Sequence, residues 1–397
     1  MLYHLFEYLN NSGLDFPGSG LLQYLSVRAI LCNVVAIITA LIAGKKIIAK
    51  LQMKQIGETI RDLGLEGQMQ KKGTPTMGGI IIIISILIPV LLFGNFRNIN
   101  TWLLLITTIW LGVVGFIDDY IKVFKHNKEG MSARTKLIAQ VALGICVGLT
   151  LFLSYKSSNL SYSQTTIPFL KGHEFDYKWL FPFNGQWARV IQGGIYVLVI
   201  TFIITACSNG TNLTDGMDGL ATGISAIVGA TLGILAYLSG HAVYADYLGI
   251  MFLPDSGEIA VFFCAMVGAL IGFLWYNAFP AQVFMGDTGS LMLGGIIGVG
   301  AVLIRKELLL PMLCGIFLAE SVTVIIQRVY FKYTKKKTGK GVRVFRMTPL
   351  HHHYQKENPD ALIQSPRNIQ PENKIVVRFW IISVLLAVLT IITLKIR

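Results

Sequence analysis

The chain has 397 residues, 53% of them hydrophobic and only 14% charged, and its mean hydropathy is +0.61. An ordinary soluble globule carries about a quarter charged residues, so that class is excluded. With 34 Lys/Arg against 21 Asp/Glu the formal charge is +13, and the composition as a whole predicts an all-α polytopic integral membrane protein.

In chain order, apolar runs long enough to cross about 30 Å of hydrocarbon as helix lie at 21–43, 77–93, 101–117, 137–153, 191–206, 220–238, 259–276, 291–304, 308–330 and 375–394. About ten transmembrane helices are therefore expected, and an even number places both termini on one side. The loops at 44–76, 118–136 and 331–374 carry 22 Lys/Arg, whereas the segments on the opposite side carry 9. Lysine and arginine accumulate on the cytoplasmic side. Both termini are thus expected to be periplasmic, and the loops after spans one, three, five, seven and nine cytoplasmic. The net positive charge is this topological bias, so no nucleic-acid partner is inferred from it.

Cys32, Cys146, Cys207, Cys264 and Cys314 fall in or at the ends of the runs without metal-ligand spacing, which indicates neither a disulfide framework nor a zinc site. The N-terminal stretch lacks a basic n-region and a small-residue cleavage site, so the first span is expected to be retained. No repeat, low-complexity tract or soluble domain interrupts the chain, which reads as a single domain over 1–397. The aromatic-rich outside loop at 154–189 is expected to lie on the membrane surface.

The unusual polar residues all fall on the loops assigned to the cytoplasm. Asp118 and Asp119 of "GFIDDYIK" follow span three, and Asn212, Asp215 and Asp218 of "NLTDGMDG" follow span five. Asn277 and Asp287 of "WYNAFPAQVFMGDTGS" follow span seven, and His351, His352 and His353 of "RMTPLHHHYQ" follow span nine. Singly, each has an ordinary reading. Asp215 or Asp287 could be an N-cap, and Asp118 could pair with Lys122 four residues on. Together they bring carboxylates, an amide and imidazoles to one membrane face. On a helix, Asn212, Asp215 and Asp218 would share an arc of about 120°, and Gly216 and Gly219 would permit close backbone approach.

Carboxylates gathered without matching cations repel one another, so a bound cation is expected. Hard oxygen ligands suit Mg²⁺, which typically combines one or two carboxylates with substrate phosphates. Lys71, Lys72, Lys122, Lys125 and Lys136 are candidates for phosphate oxygens, with the positive-inside bias as the alternative. In "KKGTPTMGG", Gly73, Pro75, Gly78 and Gly79 mark a turn whose backbone amides could meet an anion. The triple histidine lacks zinc spacing; near phosphate, imidazoles either donate hydrogen bonds or move protons. Glu320 lies deep in span nine, where an acid must face protein or a polar cavity. Arg28 in span one either does likewise or snorkels.

Five of these segments, "KKGTPTMGG", "DDYIK", "NLTDGMDG", "WYNAFPAQVFMGDTGS" and "RMTPLHHHYQ", in this order on ten spans, resemble the polyprenyl-phosphate N-acetylhexosamine-1-phosphate transferase superfamily. The histidine segment points within it to the phospho-N-acetylmuramoyl-pentapeptide transferase family. About ten extra residues near "ENPDALIQSP" depart from that pattern. The resemblance implies transfer of phospho-N-acetylmuramoyl-pentapeptide from UDP-N-acetylmuramoyl-pentapeptide to undecaprenyl phosphate, giving lipid I and UMP. It also implies Mg²⁺ dependence and a homodimer among the lipids of the bacterial inner membrane, with the active site on the cytoplasmic face. It assigns Asp287 to Mg²⁺, Asp118 to the lipid phosphate as a possible base, and Asp119 to support of that site. Asn212, Asp215, Asp218, Asn277 and Phe284 fall to the uridine side, with Phe284 as a stacking face. His351, His352 and His353 fall to the diphosphate or muramoyl part, and Lys71, Lys72, Lys122 and Lys136 to substrate phosphates. Two competing readings are a sister enzyme moving N-acetylglucosamine-1-phosphate, which should lack this histidine segment, and a secondary transporter, whose site should lie near the midplane.

Overall fold

The computed structural model describes residues 1–12, 19–54, 71, 73–125, 127, 129–154, 164–169, 174–180, 187–357 and 360–395. A short helix α1 (Leu2–Asn11) precedes α2 (Leu25–Lys54), α3 (Gly79–Phe93), α4 (Ile99–Phe124) and α5 (Ala133–Ser154). An antiparallel pair, β1 (Gln164–Thr166) and β2 (Glu174–Asp176), leads to α6 (Ala188–Thr214), α7 (Leu220–Ser239), α8 (Ala242–Leu248) and α9 (Gly257–Asn277). Then come α10 (Gly286–Leu303), α11 (Leu310–Leu313), α12 (Gly315–Thr338), the single-turn α13 (Leu350–His353) and α14 (Glu372–Thr393).

Each of the ten predicted runs is helical. Eight of the described helices are long and apolar enough to cross a membrane, and a ninth span is the broken pair containing α11 and α12, bent by 75°. The bend falls at Cys314, whose φ of −93° and ψ of 26° leave the helical region. The remaining run is α3, only 15 residues long.

The centre of the bundle is α10, buried at every position from Thr288 to Leu303 and packed against α3, α4, α6 and α7. Its sequence, GDTGSLMLGGIIGVGAVL, explains this: small residues let neighbouring backbones approach where lipid offers no hydrophobic driving force between helices. The other helices enclose it, with α2 and α7 on α9 and α14 on α7.

Both termini lie at one end. The Met1 amine donates to Leu92 O at 3.1 Å and Lys395 Nζ to Tyr247 O at 2.9 Å, while Asn98 Nδ2 reaches Asp255 O at 2.9 Å. Arg28 does not snorkel. Its guanidinium makes a two-pronged pair with Glu258 at 2.9 and 2.6 Å and lies 4.4 Å from the centre of the Tyr3 ring. A charge held inside the bundle by such a partner has no need to reach water.

The described part of the outside loop is anchored to the protein, while Phe169 and Trp179 remain exposed. Thr166 N donates to Arg305 O at 3.0 Å, Lys306 Nζ to Thr166 Oγ1 at 2.7 Å, and Tyr177 OH to Glu307 Oε1 at 2.9 Å. The hairpin is thereby tied to the chain leaving α10.

Candidate active site

At the other end of the bundle α4 and α10 bring three acids together. Carboxylate oxygens of Asp118, Asp119 and Asp287 lie within 4.8 Å of one another. Asp119 accepts hydrogen bonds from Asp287 N at 3.1 Å, Thr288 N at 2.9 Å and Thr288 Oγ1 at 2.6 Å. It caps α10 from a different helix, taking up amides that the first turn cannot satisfy itself. Gly286 makes room for it: its φ is +73°, and a Cβ there would come within 2.5 Å of Asp119 Oδ2. Because the cap comes from Asp119, Asp287 is released from the N-cap reading and turns into the cluster.

Asp118 is fully buried and accepts from Met131 N at 2.6 Å. Lys122 Nζ lies 2.6 Å from its Oδ2 and 3.2 Å from Asp287 Oδ2. Lys136 Nζ lies 2.9 Å from the same Asp118 oxygen and also contacts Asp287. This corrects the expectation of carboxylates without cations: two ammonium groups sit among them, one from α4 itself and one from the first turn of α5. With Asp119 committed to α10, Asp287 and Asp118 are the acids left for a ligand. Their hard oxygens, set beside cations that can shift to phosphate, fit Mg²⁺ chemistry.

The three polar residues of "NLTDGMDG" do not share a helical face. Helix α6 stops at Thr214, Asp215 has φ −77° and ψ 54°, and Gly219 adopts φ +75°, a region that glycine enters freely. The turn splits the set. Asn212 Nδ2 donates to Asp287 Oδ1 and Ser290 Oγ, each at 2.9 Å. Asp218 instead pairs with Lys71 Nζ at 2.6 Å and accepts from Ala281 N at 3.0 Å. Between them, burial and the nearby charges of Asp287, Asp119 and Asp218 push the Asp215 carboxyl up to about 8. That shift favours its protonated form, which lowers the negative charge beside the cluster.

The glycine-rich segment before α3 also differs from expectation. Gly78 N and Gly79 N donate to Phe284 O at 2.8 Å and Met285 O at 2.9 Å, and Phe284 N donates to Pro75 O at 2.8 Å. Those amides are occupied by pairing to the chain entering α10 rather than left for an anion. The Phe284 ring is partly exposed, with Lys71 Nζ 5.8 Å from its centre. Asn277 is buried; its Oδ1 accepts from Thr222 Oγ1 at 2.6 Å and its Nδ2 donates to Val283 O at 2.9 Å. It holds the loop that presents Phe284. Lys72 lies outside the described residues.

The three histidines occupy different environments. His351 is fully buried, its backbone N donating to Glu320 Oε1 at 3.2 Å and its Nδ1 3.2 Å from the same oxygen. Glu320 thus meets a partner on another element, as its depth in span nine predicts. His352 is partly exposed; burial and neighbouring His351 push it down to about 3, so it is neutral at physiological pH. His353 Nδ1 accepts from Arg346 N at 3.1 Å while its Nε2 faces Ser365 O at 2.8 Å, which fixes the Nε2-protonated tautomer.

The sequence that builds this site matches known proteins over its whole length. The Glycosyl transferase family 4 model matches residues 101–305, and a phospho-N-acetylmuramoyl-pentapeptide-transferase signature matches residues 71–83. A protein of Parabacteroides distasonis named phospho-N-acetylmuramoyl-pentapeptide-transferase is 55% identical over 100% of both chains. Proteins of the same name from Porphyromonas gingivalis and Flavobacterium psychrophilum are 51% and 50% identical, again over 100% of each chain. The chain belongs to the phospho-N-acetylmuramoyl-pentapeptide-transferase family.

Within that family match the signature contains Lys71 and the glycines stapled to Phe284, and the longer segment contains all three clustered acids with Lys122, Lys136 and Asn212. Sequence reasoning missed several residues that the structure brings in. Thr288 and Ser290 hold Asp119 and Asn212. Gln140 and Asn209 exchange amide hydrogen bonds, with Asn209 Nδ2 to Gln140 Oε1 at 2.9 Å. Gln140 is one turn from Lys136 and Asn209 one turn from Asn212, so this clamp sets both. Glu372 joins Lys71 at 2.6 Å. The signal for Gln140 was present as a polar residue inside an apolar run; Asn209 lies just past the end of one, and nothing local sets Glu372 apart from any acid in a first helical turn.

Proposed function

We propose that this protein transfers phospho-N-acetylmuramoyl-pentapeptide from UDP-N-acetylmuramoyl-pentapeptide to undecaprenyl phosphate, forming lipid I and UMP. The observation that carries it is the cluster of Asp118, Asp119 and Asp287 with Lys122 and Lys136 in a chain 55% identical, end to end, to a relative of that name. An oxygen of the lipid phosphate attacks the sugar-linked phosphorus; the new P–O bond forms as the bond to the bridging oxygen breaks, and UMP departs with that oxygen. A phosphomonoester has its second pKa near ~6, so the attacking group is already largely dianionic. The larger demand is to bring two anions together and to stabilise charge on the in-line oxygens.

Lys122 and Lys136 meet that demand by exchanging carboxylate partners for phosphate oxygens. Asp118 faces the lipid phosphate and takes any remaining proton, while Asp119 keeps the first turn of α10 in place. Mg²⁺, held by Asp287, would supply the positive charge for the diphosphate. Asn212 orients Asp287. Lys71, Asp215, Asp218 and Phe284 form the uridine side, with Asn277 supporting it; of the three histidines the partly exposed His352 faces the diphosphate or muramoyl part, while buried His351 and His353 hold that segment in place. The acid end is cytoplasmic, the termini are periplasmic, and the protein works as a homodimer in the bacterial inner membrane. Support for the orientation is the 22 to 9 distribution of Lys/Arg.

The deciding experiment gives purified protein undecaprenyl phosphate with either UDP-N-acetylmuramoyl-pentapeptide or UDP-N-acetylglucosamine. Lipid-linked product and UMP are expected from the first donor only, and loss of product with EDTA. Product from the second alone would assign the sister activity, and product from neither would return the chain to the transporter reading.

A further inference from the structure

We infer that Glu372, in the first turn of α14, is a positioning residue for the nucleotide-binding side of the site, an inference that rests on the transferase reading above. One oxygen, Glu372 Oε1, accepts from Lys71 Nζ at 2.6 Å and from Asp218 N at 2.7 Å. Asp218 holds the same ammonium at 2.6 Å with one oxygen and Ala281 N at 3.0 Å with the other. Four segments remote in sequence are joined here: the chain before α3, the α6–α7 turn, the chain before α10, and the start of α14. The Glu372 side chain is only 9% exposed, so these charge-assisted bonds are shielded from water.

The sequence of α14 explains why the carboxylate arrives there. Glu372, Val376 and Trp380 recur every four residues on one face. Val376 is buried, and the Trp380 indole fills a notch at Gly223, where a Cβ would lie 2.2 Å from the ring. Any larger residue at 223 would push α14 away. Just before the helix, Gln370 N donates to Tyr354 O at 3.0 Å, which ties the same turn to the histidine segment. The helix is thus fixed along its length and delivers Glu372 as a rigid acceptor.

With Asp218 alone, the flexible lysine stem could aim its ammonium in several directions. The second carboxylate removes that freedom and holds the cation beside the partly exposed Phe284 ring, with an N–H left to reach an incoming nucleotide oxygen. It also anchors the backbone of the turn that carries Asp215. Neither effect touches Asp118, Asp287, Lys122 or Lys136. Loss of Glu372 should therefore weaken the nucleotide substrate and spare the lipid phosphate.

The test uses full-length purified Glu372→Gln, which keeps an acceptor for Asp218 N and loses the charge that orients Lys71, together with Glu372→Asp. For Glu372→Gln the KM for UDP-N-acetylmuramoyl-pentapeptide should rise about tenfold, the usual scale for one charged hydrogen bond, while the KM for undecaprenyl phosphate stays within about twofold. Calorimetric binding of UDP should weaken by the same factor, with Glu372→Asp intermediate. In a Lys71→Met background the Glu372→Gln change should add little, because both act through one contact. An unchanged nucleotide KM, or equal losses for both substrates with a lowered unfolding temperature, would overturn the assignment. Wild-type protein that neither binds UDP nor forms product would fail at the transferase reading itself, and this inference would fall with it.

Discussion

Asp118 and Asp287 share the same two lysines, yet the site asks different things of them. Replacing Asp287 by Asn keeps size and hydrogen bonding but removes the charge that its proposed role as Mg²⁺ ligand needs, so transfer should become negligible and extra Mg²⁺ should restore little. Asp118→Asn should fall by about 10²- to 10⁴-fold, the scale of a lost general base, and recover part of that as pH rises through the second pKa of the lipid phosphate. Rates measured from pH 6 to 9 separate the two; an Asp118→Asn variant equally inactive throughout, with substrate binding intact, would remove the base role. The residue types at this site were legible in the sequence, because acids without an obvious use at the ends of apolar runs are costly there. Their division of labour was not. Asp119 earns its role from the α10 amides 168 and 169 positions away, and no local spacing encodes that contact.

Between elements, buried charges act as clamps. Arg28 and Glu258 join α2 to α9, and Glu258 Oε2 also accepts from Asn95 N at 3.0 Å. Arg28→Met leaves that acid without its partner and should cost about 3–5 kcal/mol, read as a lowered unfolding temperature in detergent; Arg28→Met with Glu258→Leu should regain most of it. At the same end, burial holds the Lys306 amine down to about 7, against an ordinary value of about 10.4. Between those values the unfolded chain binds a proton that the folded chain does not, so stability rises with pH across the window. Lys306→Met lacks this slope. Its unfolding temperature minus that of the wild type should fall steadily from pH 7 to pH 9, and a constant difference would show that the amine stays charged. The ten apolar runs were legible as helix, eight or nine of them of membrane-crossing length among the described residues, but the helix ends were not, nor were the short helices α1, α8 and α13. Helix α4 continues past the apolar run through Asp118 and Asp119 to Phe124, and α6 stops at Thr214. Charged and glycine residues set those limits through tertiary contacts rather than through hydropathy.

Across the whole molecule, the loop between α3 and α4 shares an end with both termini, and the loop between α4 and α5 lies at the acid end. In a cysteine-free background, a cysteine at exposed Glu129 should be shielded from a membrane-impermeant thiol reagent in intact cells, whereas one at exposed Arg97 should react. Reversed labelling would turn the acids away from the nucleotide pool. The side of the membrane is legible only from charge, while the shared end of the termini follows from the helix count and is seen in the contacts of Met1 and Lys395. The enclosed, glycine-rich α10 carries a consequence for biogenesis. Its partners α3, α4, α6 and α7 are all synthesised before it, and it has almost no lipid-facing residues of its own. As an isolated segment it should enter microsomal membranes less efficiently than α6 in a glycosylation-reporter assay, and equal insertion would contradict this. Asp287 then reaches its place only when this inner helix is received by partners already made, while α12 and α14 are still to come, so the acid cluster closes before the histidine segment and Glu372 join it.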